Sequence, residues 1–120
     1  MDHNEVCLAG KLSKKAEEIL LPSGDLRTTW RVIVRRARPR PGAVVDTIPC
    51  VTFDPEVAAV VQRFLPGDRM RVEGVFRSRV WGPPQTKIWA YEVEALAVTP
   101  AGELPEAEAP AVPRPREAGV

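Results

Sequence analysis

Histidine occurs once in this chain, as His3, and cysteine only twice, as Cys7 and Cys50. One histidine in the first few residues leaves no base for a serine-type relay and no imidazole cluster for a metal. The cysteines lack the short CxxC spacing of a zinc site, and the glycines form neither a phosphate loop nor a dinucleotide fingerprint. No apolar run approaches the ~18 residues of a membrane span, and the polar start MDHNEV does not read as a secretory leader. A cytoplasmic protein without membrane attachment is expected. Both cysteines sit in apolar, strand-like runs and read as small buried side chains in a reducing compartment. Spacing leaves a bridge between them open. Enzymatic activity, a metal and a cofactor are all not expected.

What is present is enough for one core. The chain has 120 residues, 44% of them apolar, which suits a single domain and is too short for two. The net charge of +1 hides an uneven distribution, because residues 1–99 hold 15 basic against 12 acidic side chains. Arg27 to Arg40 contains six arginines and no acid. A local basic strip of this kind suits an anionic partner better than it suits bulk charge steering.

Along the chain, NEVCLAGKL (residues 4–12) alternates in strand fashion, with Gly10 marking a bulge or bend. LPSGD (21–25) is a turn. LRTTWRVIVRR follows as a second strand, with Leu26, Thr28, Trp30, Val32 and Val34 on a core face and Arg27, Thr29, Arg31, Ile33 and Arg35 on a basic face. RARPRPGAVVD reads as an irregular basic loop carrying Arg36, Arg38 and Arg40, because its prolines and glycine break regular structure. TIPCVTF (47–53) is a third strand, beginning at an edge or bulge because of Pro49.

DPEVAAVVQRFLPGD is the one helix. Asp54 caps it, Pro55 takes its first position, and Val57, Val60, Val61, Phe64 and Leu65 form one apolar stripe before Pro66 and Gly67 end it. A fourth strand runs from about Arg69 to Trp81, and KIWAYEVEALAV forms a fifth whose faces the alternation leaves open. Three strands, a helix and two strands in this order predict an all-β fold. The expected architecture is a five-stranded Greek-key OB barrel with its helix between strands three and four. The domain is expected over residues 1–99, followed by a disordered Pro/Ala/Glu tail over 100–120.

The fourth strand, RVEGVFRSRVW, places Arg77, Arg79 and Trp81 on one face. Beside the arginines of the second strand, that face makes a basic groove able to follow a phosphate chain. Trp81 adds a stacking platform worth roughly 1–3 kcal/mol per base. Duplexes hide their base faces, so the combination points to a single strand.

These stretches resemble the bacterial single-stranded DNA-binding protein family. NEVCLAGKL is similar to its opening strand, LPSGDLRTTWRVIV to its turn and second strand, FLPGDRMRVEGVFRSRVW to its helix end and fourth strand, and WAYEV to its closing strand. The resemblance covers about four-fifths of the chain, from Asn4 to Val98. It implies an OB-fold homo-oligomer, a tetramer or dimer, that coats single-stranded DNA without sequence preference in replication, repair or recombination. It also implies a bacterial, nucleoid-associated location. Trp81 matches the family's stacking tryptophan, Phe53 its aromatic at the end of strand three, and Arg77 and Arg79 its basic pair. The first strand, around Glu5 to Ala9, would carry a dimer contact.

Two departures stand out. Thr47 and Ile48 occupy the place of an early tryptophan in strand three, and the second loop has arginines where the family has an aromatic. Affinity is therefore expected to lean on phosphates and to be sensitive to salt. The end PRPREAGV lacks the family's acidic tip with its Pro-Phe pair, which puts recruitment of replication enzymes in doubt. The candidate DNA contacts are Arg27, Arg31, Arg35, Arg36, Arg38, Phe53, Arg71, Arg77, Arg79, Trp81 and Trp89, with Tyr91 beside them. An OB-fold accessory module for a protein partner or RNA is the alternative.

Overall fold

The computed structural model describes residues 1–102. Its elements are β1 (Val6–Leu12), β2 (Glu17–Leu20), β3 (Leu26–Arg40), β4 (Ala43–Thr52), α1 (Pro55–Gln62), β5 (Arg69–Trp81) and β6 (Ile88–Pro100). The strands pair in the order β1-β5-β6-β4-β3, and β1 returns to β3 to close a five-stranded barrel. All these pairings are antiparallel except β4 with β6. The barrel is filled by Leu12, Trp30, Val32, Met70 and Val72, with buried Thr28 and Thr52, and by Val93, Ala95 and Val98 of β6, whose faces the alternation left open. The expected core position of Trp30 holds.

Closure depends on Gly10. β1 pairs with β5 from Val6 to Lys11 but reaches β3 only at Lys11 and Leu12, so the two backbones crowd together there. A Cβ at Gly10 would collide with the Ile33 carbonyl oxygen. The close approach of backbone, rather than a bulge in β1, is what needs glycine.

The helix is capped as expected. The Glu56 amide donates to Asp54 Oδ1 at 2.9 Å, and Pro55 opens the first turn. Val57, Val61 and Phe64 are buried over one barrel end, and Lys15 donates to the carbonyl of Phe64 at 3.3 Å and to that of Gln62. Leu65 does not join the stripe and is 59% exposed. The helix ends at Gln62, so three residues later the chain has left the helical path on which the spacing depends.

Four further expectations are corrected. Residues 36–46 are not an irregular loop: β3 runs on to Arg40 and β4 begins at Ala43, with a turn at Pro41 and Gly42. Beyond Arg35 this pair leaves the barrel as a two-stranded ribbon with an irregular ladder, where a missing proline N–H costs little. Leu26 is exposed rather than core, because it lies outside the barrel opposite Leu20. The short strand β2, which alternation did not signal, pairs there with β3. Cys7 is exposed and Cys50 buried, both as free thiols. Cys7 falls on the outer side of β1, between the inward Val6 and Leu8. Pro49 behaves as expected, since β4 has β3 on one side there and meets β6 only at Cys50 and Val51.

The β5–β6 hairpin also projects from the barrel. Its ladder shifts at Gly74, opposite Ala95, where Leu96 is left over, and both faces of the ribbon beyond are open to solvent. A Cβ at Gly74 would strike the Glu94 carbonyl oxygen. The Asn4 side chain grips the base of the ribbon, donating to the Phe76 carbonyl at 2.7 Å and accepting from its amide at 2.8 Å. Strand β6 carries the ordered chain through Pro100, one residue past the expected domain edge. Most of the expected tail, from residue 103, lies outside the described residues.

Candidate nucleic-acid interface

The register of the hairpin assigns its faces. Arg77 lies opposite Glu92, Arg79 opposite Ala90 and Trp81 opposite Ile88, so the three side chains picked out by sequence do share one face. Phe76, Ser78 and Val80 lie on the other, opposite Val93, Tyr91 and Trp89. Trp89 and Trp81 therefore look in opposite directions. On the second face the rings of Phe76 and Tyr91 stack in parallel, 5.7 Å between centroids.

The Trp81 face continues into a groove of about 310 Å3 on the barrel wall. Arg27, Thr29 and Arg31 of β3 line it, with Pro49 and Cys50 of β4, Glu92 of β6, Arg79 of β5 and the β1–β2 connection at Lys14 and Lys15. Arg79 thus meets Arg27 and Arg31 across the groove although β5 and β3 are not paired, because β6 and β4 lie between them. Thr28 Oγ1 and Trp30 Nε1 lie buried on the inner side of the same wall without a protein partner.

Carboxylates order this surface. Arg27 donates to Glu92 Oε1 at 3.0 Å, Arg79 Nε lies 3.7 Å from Glu92 Oε2, and Arg77 donates to Glu94 at 2.8 Å. The guanidinium of Arg79 also sits 4.8 Å from the Trp81 ring centroid, in cation–π range. Arg31, Arg35, Arg38 and Arg40 have no carboxylate partner among the described residues.

The remaining sequence candidates are spread out. Arg36 forms a two-pronged pair with Asp46 across the β3–β4 ribbon, at 2.7 and 3.1 Å. This pair pushes the guanidinium pKa up and holds the Asp46 carboxyl below the usual carboxylate range. Arg35 and Arg38 stand on the same ribbon outside the groove lining. Arg71 pairs with Glu73 at 3.1 Å, opposite Ala9 of β1. Phe53 is 45% exposed in a hollow beside Leu26, Pro55 and Ala58, and does not line the groove of Trp81, which is itself 44% exposed. Beneath the groove, burial followed by the nearby Glu92 charge raises the Cys50 thiol pKa to about 12. Sequence reasoning missed Lys14 and Lys15 as groove residues and Glu92 and Glu94 as partners of the arginines. The only signal was the acids at alternate positions in YEVEA, and their pairing needs the register.

A closed five-stranded barrel with one capping helix, a groove lined by arginines and lysines and a projecting, ring-bearing hairpin defines a small OB-like β-barrel protein. Residues 3–99 match the Single-strand binding protein family, and the protein belongs to that family. Comparison with curated proteins finds no match. Among solved structures, the barrel is similar to a Plasmodium falciparum SSB in complex with ssDNA, at 16% sequence identity and a TM-score of 0.70. The match covers 85% of this chain and 97% of that one, and at this identity it speaks for the fold. Among the described residues no helix is long and apolar enough to cross a membrane.

Proposed function

We propose that this protein binds single-stranded DNA without strong sequence preference, along the groove and hairpin face that carry Arg27, Arg31, Arg79 and Trp81. The observation that carries the reading is the convergence of Arg27, Arg31 and Arg79 on one groove of a barrel in this family, with the Trp81 ring against Arg79 on the hairpin that continues it. Phosphates lie along the guanidinium row, where each contact releases condensed counterions, and bases stack on Trp81 and its neighbours. The related structure, solved as an SSB with ssDNA, supports the same reading. The barrel is of the OB type with Greek-key connections, and its helix sits between the third and fourth barrel strands. Phe53, Arg35, Arg36, Arg38 and Arg71 extend the path beyond the groove, and Trp89 brings the strand round to the second face of the hairpin.

The protein acts as a homo-oligomer in replication, repair or recombination, in the cytoplasm. Oligomerisation is supported by β1, which has β5 on one side from Val6 to Gly10 and, among the described residues, no paired strand on the other.

A second reading, as a protein-binding module, draws on one observation: the hairpin face of Phe76, Val80, Trp89 and Tyr91 is exposed and carries no charge. Titrating a fluorescent oligo-dT, with matched RNA and duplex as competitors, separates the readings. Tight, duplex-resistant binding is expected, and indifference to oligo-dT in dilute buffer refutes the proposal.

A further inference from the structure

Two carboxylates, Glu17 and Glu92, line a groove read as a surface for a polyanion, and of the two Glu92 alone is paired with its arginines among the described residues. Glu92 lies in the groove with a side chain only 12% exposed, among Lys14, Arg27, Arg31 and Arg79. Its two oxygens face Arg27 at 3.0 Å and Arg79 at 3.7 Å. A phosphate also offers two oxygens and a negative charge, and these guanidinium edges are what it would take. Resting on the DNA-binding reading above, we propose that Glu92 is a resident competitor. In the free protein it holds a place on the arginines that a backbone phosphate of the bound strand takes over.

The two arginines divide the task. Arg27 is buried nearly as deeply as Glu92, with its side chain 17% exposed, and an unpaired cation there would be costly, so it keeps the carboxylate. Arg79 is 49% exposed, and its distance to Glu92 is longer than the 2.7–2.9 Å of a strong charged hydrogen bond. It is the partner that changes hands. Its seat over the Trp81 ring keeps the guanidinium in place while it does so, next to a ring on which a base stacks. The exchange lowers affinity by the strength of the displaced contact, and in return the groove is ordered before the strand arrives.

The test compares wild type with Glu92→Gln, using fluorescent oligo-dT over a range of salt concentrations. E92Q is expected to bind on the order of two- to fivefold tighter at low salt, the range of a partly exposed ion pair. Its salt dependence is expected to steepen, because no carboxylate oxygen left behind by Arg79 remains to draw in a cation. Unchanged or weaker binding by a folded E92Q overturns the inference, since a carboxylate that only positions the arginines gives that result. If E92Q does not fold, the wild type decides. With glutamate carboxyl carbons labelled, the Glu92 resonance must move as oligo-dT saturates the protein, and a stationary signal overturns the exchange. A wild type that ignores oligo-dT removes both this inference and the reading beneath it. A wild type that binds while E92Q binds no tighter removes this inference alone.

Discussion

The guanidinium of Arg79 rests 4.8 Å from the centroid of the Trp81 ring, two residues along the same face of β5. In the proposed site, this contact joins the residue assigned to phosphate with the ring assigned to base stacking. A ring held by a cation on one side loses less freedom when a base arrives than a free ring does.

Trp81→Ala is expected to weaken oligo-dT binding by roughly 1–3 kcal/mol. The ring lies on the projecting hairpin outside the core, so the melting temperature should stay close to wild type. Calorimetric melting run beside the binding titration checks both; a large stability loss would show that the ring belongs to the barrel.

The salt dependence should distinguish free arginines from paired ones. Replacing Arg31, which has no carboxylate partner among the described residues, with alanine should lower the slope of log K against log salt by about 0.7, one phosphate contact on a single strand. Arg36→Ala should lower it by less, because Asp46 already matches that charge at 2.7 Å. Equal effects would contradict the pairing.

Gly10→Ala should destabilise the barrel by about 1–3 kcal/mol, since the added methyl meets the Ile33 carbonyl, which has no room to move. A urea midpoint gives the value. The fraction that remains folded should still bind, which separates closure of the barrel from the site.

The two thiols should behave differently. A thiol reagent at neutral pH should modify exposed Cys7 in the native protein and reach Cys50 only on unfolding. The folded pKa of Cys50 is raised from the ordinary 9.0 to about 12, so its contribution to stability is complete below the lower value. It is lost as pH rises towards the upper one, where the unfolded chain has already released the proton. Thermal melts from pH 9 upward should therefore fall more steeply for wild type than for Cys50→Ala.

Much of the architecture was legible in the sequence because alternation marks strands with one buried face. Val6, Leu8 and Leu12, or Trp30 and Val32, need no partner strand to declare their side. The cap at Asp54 was equally local. Features that depend on register were not legible. Which strands meet Glu92 is decided by pairings between residues far apart in sequence, and so is the separation of Trp89 from Trp81 across the hairpin. β2 was missed because EEIL buries nothing and pairs only with the start of β3. The β3–β4 ribbon was missed because proline rules describe full sheets, whereas a two-stranded ribbon has vacant edges.

The barrel consists of two shells, β1-β5-β6 and β4-β3 with β2 flanking the latter, joined along seams of two residue pairs each: Lys11 with Ile33 and Leu12 with Val32, then Cys50 with Val93 and Val51 with Glu94. The groove lies over the second seam, and the Arg27–Glu92 pair spans it like a clasp. On the proposed reading, a strand lying in the groove bridges both shells at a joint of only two residue pairs.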